Sequence, residues 1–311
     1  MLKRRRGHRR PPRPAVVAGL SVALLLLVST MSALASAGQS PRTVTRGGLT
    51  VNVPPPGTGV RASALLVTGE TRSLAVETAV DGRVLIVEEP GTAALDRDAR
   101  AASASAPRPD TGVAGSPPAC QDGKHNVTGS WWHSTFHWLF KAASKPSNLT
   151  IASAEYQLKR SVSNITHSRN DCGLADQVSA VARYDGRTTR GTHIGSNSTC
   201  TTTDDVNVVA FGDLSSSTVG FTCWWYRGTT TVEADVQLNK HDFGWAASTS
   251  SCFNQYIIQG VATHEFGHVF GLGHVSQASH ANLTMSTAIY PCDASDATLG
   301  LGDVLGLRTH Y

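Results

Sequence analysis

The stretch His264-Glu265-Phe266-Gly267-His268-Val269-Phe270-Gly271-Leu272-Gly273-His274 decides how this chain is read. It fits the pattern H-E-x-x-H-x-x-G-x-x-H at every fixed position. On a helix, residues four apart stack on one face, so His264 and His268 can present two imidazoles to one ion. Gly271 can take the positive φ that ends a helix and turns the chain, and that turn brings back His274 as a third nitrogen. Three protein nitrogens with one vertex left free is the arrangement of a catalytic rather than a structural Zn²⁺. Glu265, beside the first ligand, is placed as general base. On average residue usage, a bare H-E-x-x-H arises by chance in roughly one chain in a hundred of this size, and the added Gly and His lower that by roughly three powers of ten. Surface histidines on an amphipathic helix are the competing reading, and they fit those odds poorly.

The motif needs a helix beneath it, and the run from Asn254 to Phe270 supplies one. Ile258, Val261, Ala262, Glu265 and Val269 fall on one side at helical spacing, a mostly apolar stripe. Asn254 is the expected N-cap, and no proline interrupts the run. Gly267 inside it costs up to about 1 kcal/mol relative to alanine, so packing and the metal must hold the helix.

Two further stretches bring a family into view. Of the three methionines, Met1 and Met31 lie at the start of the chain, which leaves Met285, in Leu283-Thr284-Met285-Ser286, shortly after the third histidine. The tail reads Asp303-x-x-Gly306-x-x-x-x-Tyr311. With residues 264–274 these resemble the metzincin zinc endopeptidases, and most closely their matrixin branch. Residues 207–212 and 233–239 also resemble strands of that family's sheet, which extends the likeness over roughly residues 120–311. The resemblance implies an α/β (α+β) fold: a twisted, mostly parallel five-stranded sheet with one antiparallel edge strand, an active-site helix and a C-terminal helix. It implies one catalytic Zn²⁺ on His264, His268 and His274, Glu265 as base, and Met285 packed beneath the ligands. Met285 as a plain core filler is compatible with that role. It also implies that Val219–Tyr226 is the antiparallel edge above a cleft, where an extended substrate would add by main-chain hydrogen bonds. Tyr290 and Pro291 would then help form the wall of a specificity pocket.

The chain departs from the matrixin pattern in three places. No spaced His and Asp in a Gly-rich loop announces a second metal site, so His193 and His241 read as solvated loop histidines, and a structural Ca²⁺ has no residue pattern to support it. No cysteine precedes Cys120, and Pro117-Pro118-Ala119-Cys120-Gln121-Asp122 does not match the Pro-Arg-Cys-Gly element that silences matrixin precursors. Thr287 stands two residues after the methionine, where astacin-like and serralysin-like relatives place a tyrosine ligand.

Residues 1–37 read as a signal peptide. A basic head (Lys3 to Arg13) precedes an apolar stretch from Ala15 to about Ala33, and Ala35-Ser36-Ala37 fits a small-x-small cleavage site. An uncleaved anchor is the alternative, since the stretch approaches membrane-spanning length. Seven of the 27 basic residues and none of the 23 acidic ones lie in this leader, so the remainder is 20 against 23, a net −3. The basicity of the whole chain therefore signals export rather than nucleic acid. A secreted, extracellular monomer with no membrane attachment after cleavage, acting on a protein or peptide substrate, is the expectation.

Cys120, Cys172, Cys200, Cys223, Cys252 and Cys292 make an even count behind a secretory leader, which reads as disulfides. Six cysteines allow 15 connectivities. We expect Cys120–Cys172, Cys200–Cys223 and Cys252–Cys292, the last tying the start of the active-site helix to the segment after Met285. Free buried thiols are the alternative. A cysteine zinc site has no C-x-x-C spacing to support it.

Along the chain, residues 38–97 form a small β-rich region, a candidate propeptide, with strands over 49–53, 64–68, 74–78 and 84–88 and a hairpin signal at Asp81-Gly82. A simple N-terminal extension is the other reading. Residues 98–119, rich in Ala, Ser, Pro and Gly, form a linker. Residues 120–311 suffice for one well-buried core. Trp132, Phe136, Trp138 and Phe140 alternate onto one face of a first strand, with His133 and His137 outward. A helix is predicted over 148–168, then strands over 178–184, 206–211, 219–226 and 232–238. Trp224 and Trp225 are core or surface aromatics with equal weight. Together these residues point to a secreted zinc endopeptidase with its free metal vertex facing a groove. A non-catalytic binding protein on the same frame, or a zinc amidohydrolase acting on cell-wall peptides, are the alternatives.

Overall fold

Runs that alternate β-branched and aromatic residues with polar ones recur along the chain, and the fold is built around strands accordingly. The computed structural model describes residues 42–88, 116–287 and 289–311; the expected signal peptide and most of the expected linker lie outside the described residues. The N-terminal region contributes β1 (Thr43–Arg46), β2 (Leu49–Asn52), β3 (Thr58–Leu66), β4 (Arg72–Thr78) and β5 (Val84–Glu88). There follow β6 (Asn126–Val127), β7 (Phe136–Phe140), α1 (Ile151–Thr166), β8 (Ala182–Arg187), β9 (Ile194–Gly195), β10 (Thr199–Cys200), β11 (Asn207–Gly212), β12 (Thr218–Arg227) and β13 (Thr230–Asn239). The last part holds β14 (Trp245–Ala246), β15 (Tyr256–Ile257), α2 (Ile258–Val269), β16 (Leu272–Gly273), α3 (Gln277–His280) and α4 (Leu301–Leu307).

The main sheet has eight strands in the order β5-β4-β3-β12-β13-β11-β7-β8. β8, β7, β11 and β13 are parallel; every other pairing is antiparallel. The α+β class agrees with the expectation, but the mostly parallel five-stranded sheet is corrected to a mixed eight-stranded one. The five strands expected from residues 120–311 are all present. What differs is the position of β12: it is interior, not an edge. An unpaired edge presents a row of free N–H and C=O groups, and β3 satisfies them, running antiparallel to β12 from Gly59 opposite Tyr226 to Leu66 opposite Thr218. The hairpins β3–β4 and β4–β5 then carry the sheet outward, the second turning at Gly82 with φ 84°.

Both faces of the sheet are covered. On one side pack α1 and α2, around Phe136, Trp138, Phe140, Leu158, Val236 and Phe266. Thr150 caps α1 by accepting the Ser153 N–H at 3.0 Å, and its apolar stripe of Ala154, Leu158, Val162 and Ile165 is buried. On the other side lies a small sheet ordered β1-β2-β10-β9, whose Leu49, Val51 and Cys200 meet Val60, Ala62, Phe221 and Trp225 of the main sheet. Residues of the N-terminal region and of the body therefore share this second core. Trp224 and Trp225 are both buried, on opposite faces of β12.

Cys120–Cys172, Cys200–Cys223 and Cys252–Cys292 are all bonded, as expected. No helix among the described residues is long and apolar enough to cross a membrane.

Candidate metal centre

Helix α2 begins later than its sequence suggests. Asn254, the expected cap, sits at φ 49°, and the N-cap is Ile257, which makes no side-chain cap hydrogen bond. Nearly every residue of α2 is buried, so packing supplies what capping does not. Its end follows the sequence closely. Gly271 has φ 90°, where an added Cβ would meet the Ser130 carbonyl at 2.8 Å. The chain then turns into β16, which pairs with β6, and returns His274 beneath the helix.

The three imidazoles converge. Their Nε2 atoms lie 3.1 Å (His264–His274), 3.2 Å (His264–His268) and 3.1 Å (His268–His274) apart. His264 Nδ1–H donates to the Thr284 carbonyl at 2.7 Å and His268 Nδ1–H to that of Leu272 at 2.9 Å. Those bonds fix the tautomer: the proton is on Nδ1 and the lone pair of Nε2 faces inward. Burial holds His264 down to about 4, and burial with mutual repulsion holds His268 and His274 well below the ordinary histidine value. Neutral imidazoles with lone pairs turned on one another repel unless a cation sits among them. Donors around a tetrahedral ion at zinc–nitrogen distances stand about 3.4 Å apart, close to the spacing found. These three residues could hold a metal ion.

Glu265 lies on the next turn face, toward β12. Its Oε2 accepts the Thr222 hydroxyl at 2.6 Å, while Oε1 is buried with no hydrogen-bond partner. Gly220 makes the room, since a Cβ there would overlap Oε1. Burial lifts the carboxyl to about 8, against the pull of Thr222. Met285 lies under the helix, its sulfur against Gly267, where a Cβ would overlap it. Asp303 of α4 accepts the N–H groups of Thr284 and Met285 at 2.8 and 3.1 Å. It therefore fixes the turn whose carbonyl holds His264. Tyr290 and Pro291 are half-buried, and the Tyr290 hydroxyl accepts an N–H from Gln277 at 2.7 Å.

The expected groove is not open. His264, His268 and His274 are 1 to 3 % exposed and Glu265 is 0 %. The cover is β3. Ser63 pairs with Thr222 in register and directs Oγ to within 3.0 Å of His268 Nε2. Ser73 of β4 lies 3.2 Å from Ser63 Oγ and 3.4 Å from His274 Nδ1, and Thr287 donates to the Gly69 carbonyl at 2.7 Å. Where a groove was expected, the histidine triangle meets a hydroxyl of the N-terminal region, Ser63 Oγ. Sequence reasoning missed Ser63 and Ser73, which no local pattern marks. Thr222, a lone polar residue in the run 219–226, was the one visible signal.

His193 is corrected as well. Rather than standing in solvent, its ring lies among Asp204, Glu233 and Asp235. His241 is mostly exposed, near Asp213 and Asp242, as its sequence context suggests. No protein-family model matches the chain, and no curated protein matches it significantly in sequence.

Proposed function

We propose that the chain is the latent form of a secreted zinc endopeptidase of the metzincin type. The observation that carries the reading is the triangle of three buried imidazole Nε2 atoms, two of them with tautomers fixed by backbone carbonyls, with a buried carboxylate on α2. His264, His268 and His274 would hold Zn²⁺, which supplies Lewis-acid activation of a water. Glu265, the residue after the first of these histidines, would be the general base, accepting a proton from the attacking water and delivering it to the leaving amine. Thr222 holds its carboxyl against β12, in the room that Gly220 leaves. Latency rests on β3, which occupies the edge along which an extended substrate would pair and seats Ser63 at the ligand triangle.

The test is peptide hydrolysis by the secreted chain before and after a cut between Glu88 and Ser116 and removal of the N-terminal piece. Hydrolysis should appear only in the freed body, stop on chelation, and fall by roughly 10²–10⁴-fold in Glu265→Gln with metal content unchanged. A freed, metal-loaded body that cleaves no peptide would refute the assignment. It would favour the second reading, a non-catalytic protein with a structural ion, which the complete closure of the site also supports.

A further inference from the structure

Glu233 and Asp235 are two apart on β13 and so share a face, opposite Ala234, Val236 and Leu238, which pack into the helical core. Both carboxylates are 0 % exposed. Buried carboxylates need partners, and Asp235 has them: Oδ1 accepts the Val208 N–H at 2.8 Å and Oδ2 the His193 N–H at 2.6 Å. Glu233 is only half supplied. Its Oε2 accepts the Thr203 hydroxyl and the N–H groups of Asp204 and Asp205, but Oε1 is buried and accepts nothing.

Opposite that oxygen stands His193 Nδ1, also buried and without a hydrogen bond. It lies 3.5 Å from Glu233 Oε1, 3.7 Å from Asp204 Oδ1 and 3.6 Å from Asp235 Oδ2. An imidazolium among three carboxylates would settle on one of them at about 2.8 Å. His193 Nδ1 instead settles on none of them, and one donor atom each of His193, Asp204 and Glu233 lies within 4.8 Å of the other two, a spacing at which they can share an ion.

From this geometry we infer that His193, Asp204 and Glu233 bind a second divalent metal ion, which ties the β8–β11 connection to β13. Asp235 positions the site by holding the His193 backbone. Asp204 is one-third exposed, with Oδ1 also accepting the Val206 N–H and Oδ2 paired with Arg190, so the ion is reached from that side. One imidazole and two carboxylates suit Zn²⁺ or Mn²⁺ better than Ca²⁺, which takes oxygen ligands. The inference stands apart from the endopeptidase reading, because it uses none of the same residues.

The experiment is metal stoichiometry of the full chain by native mass spectrometry after loading with Zn²⁺ and desalting. Wild type should carry two ions, Glu233→Gln one, and the double variant His264→Ala/His268→Ala one. Loading Glu233→Gln with zinc should raise its melting temperature less than loading wild type does. If wild type and Glu233→Gln both carry one ion, the inference is overturned and His193 is an ion-paired histidine. If wild type carries one and Glu233→Gln none, the second site stands and the triad reading fails. Should the double histidine variant not fold, the comparison of wild type with Glu233→Gln still decides.

Discussion

Single residues already show which part of the site was legible in sequence. The three histidines, Glu265 and the Gly271 turn are local: they lie within one helix and the turn after it, and helical spacing dictates their meeting. Ser63 touches His268 across 205 residues of chain, and no local pattern reports such a contact. Asp303 is intermediate, present in the tail motif but with its role visible only in three dimensions. Its carboxyl accepts N–H groups from Thr284, Met285 and Gly300 at 2.8, 3.1 and 2.9 Å. Asp303→Ala leaves these donors unpaired, at about 1–3 kcal/mol each, and loosens the Thr284 carbonyl that orients His264. Zinc affinity should fall by roughly 10–100-fold, as read by competition with a chromogenic chelator. Burial also lifts the Asp303 carboxyl from 3.8 to about 6. A carboxyl raised on folding takes up a proton between those values, so its contribution to stability declines as pH climbs from about 4 to about 6. The unfolding free energy of the zinc-free chain minus that of Asp303→Asn should shrink over that window by up to about 3 kcal/mol. A difference that grew instead would show that the three N–H donors outweigh burial.

Elements were legible wherever periodicity speaks. The alternation of Trp132, Phe136, Trp138 and Phe140 and the stripe on α1 put those residues in the core, while His133 and His137 face outward. Strand neighbours were not legible, because an alternating pattern says which face is buried and nothing about which strand lies alongside. Of the N-terminal strands, β2, β4 and β5 stand where the alternation puts them, but β1 carries no expectation and β3 runs over Thr58–Leu66 rather than 64–68; the continuation of the main sheet through β3 and β12 was not legible either. The start of α2 was misplaced for a related reason: a buried helix entered directly from the short strand β15 dispenses with a cap. The Cys252–Cys292 bond brackets that helix, joining the chain just before it to the segment after Met285 across a separation of 40 residues. Closing a loop of that length removes about 4 kcal/mol of unfolded-state freedom on the chain-entropy account. Replacing both cysteines with serine should lower the unfolding free energy by about that amount and raise exchange of the α2 amides first. Uniform loss of protection across all elements would deny the bond any special tie to α2.

At the scale of the whole molecule, closure of the site and stability of the fold are the same set of contacts. β3 is hydrogen-bonded on both sides, to β12 and to β4. Its Val60, Ala62 and Ala64 are part of the core that includes Phe221, Cys223 and Trp225 of the body. Rotation of the Ser63 side chain alone would not uncover the histidine triangle, because the backbone ladder would still fill the edge. Access therefore requires β3 to peel from β12 as a unit, a sub-global opening of the kind that hydrogen exchange resolves. This fixes how a chelator should behave. With the intact chain, zinc loss should reach a ceiling that no longer rises with chelator concentration, set by the opening rate and increasing in mild urea as native contacts weaken. With the N-terminal piece cut away and removed, the ceiling should vanish and zinc loss should run at least ten-fold faster at equal chelator. Ser63→Ala, which removes the hydroxyl but keeps the ladder, should leave the ceiling nearly in place. If Ser63→Ala alone abolished it, a single side chain would be the lock and the strand only its carrier. If intact and freed chains lost zinc equally fast, β3 would guard nothing, and the latency argued for this protein would fall.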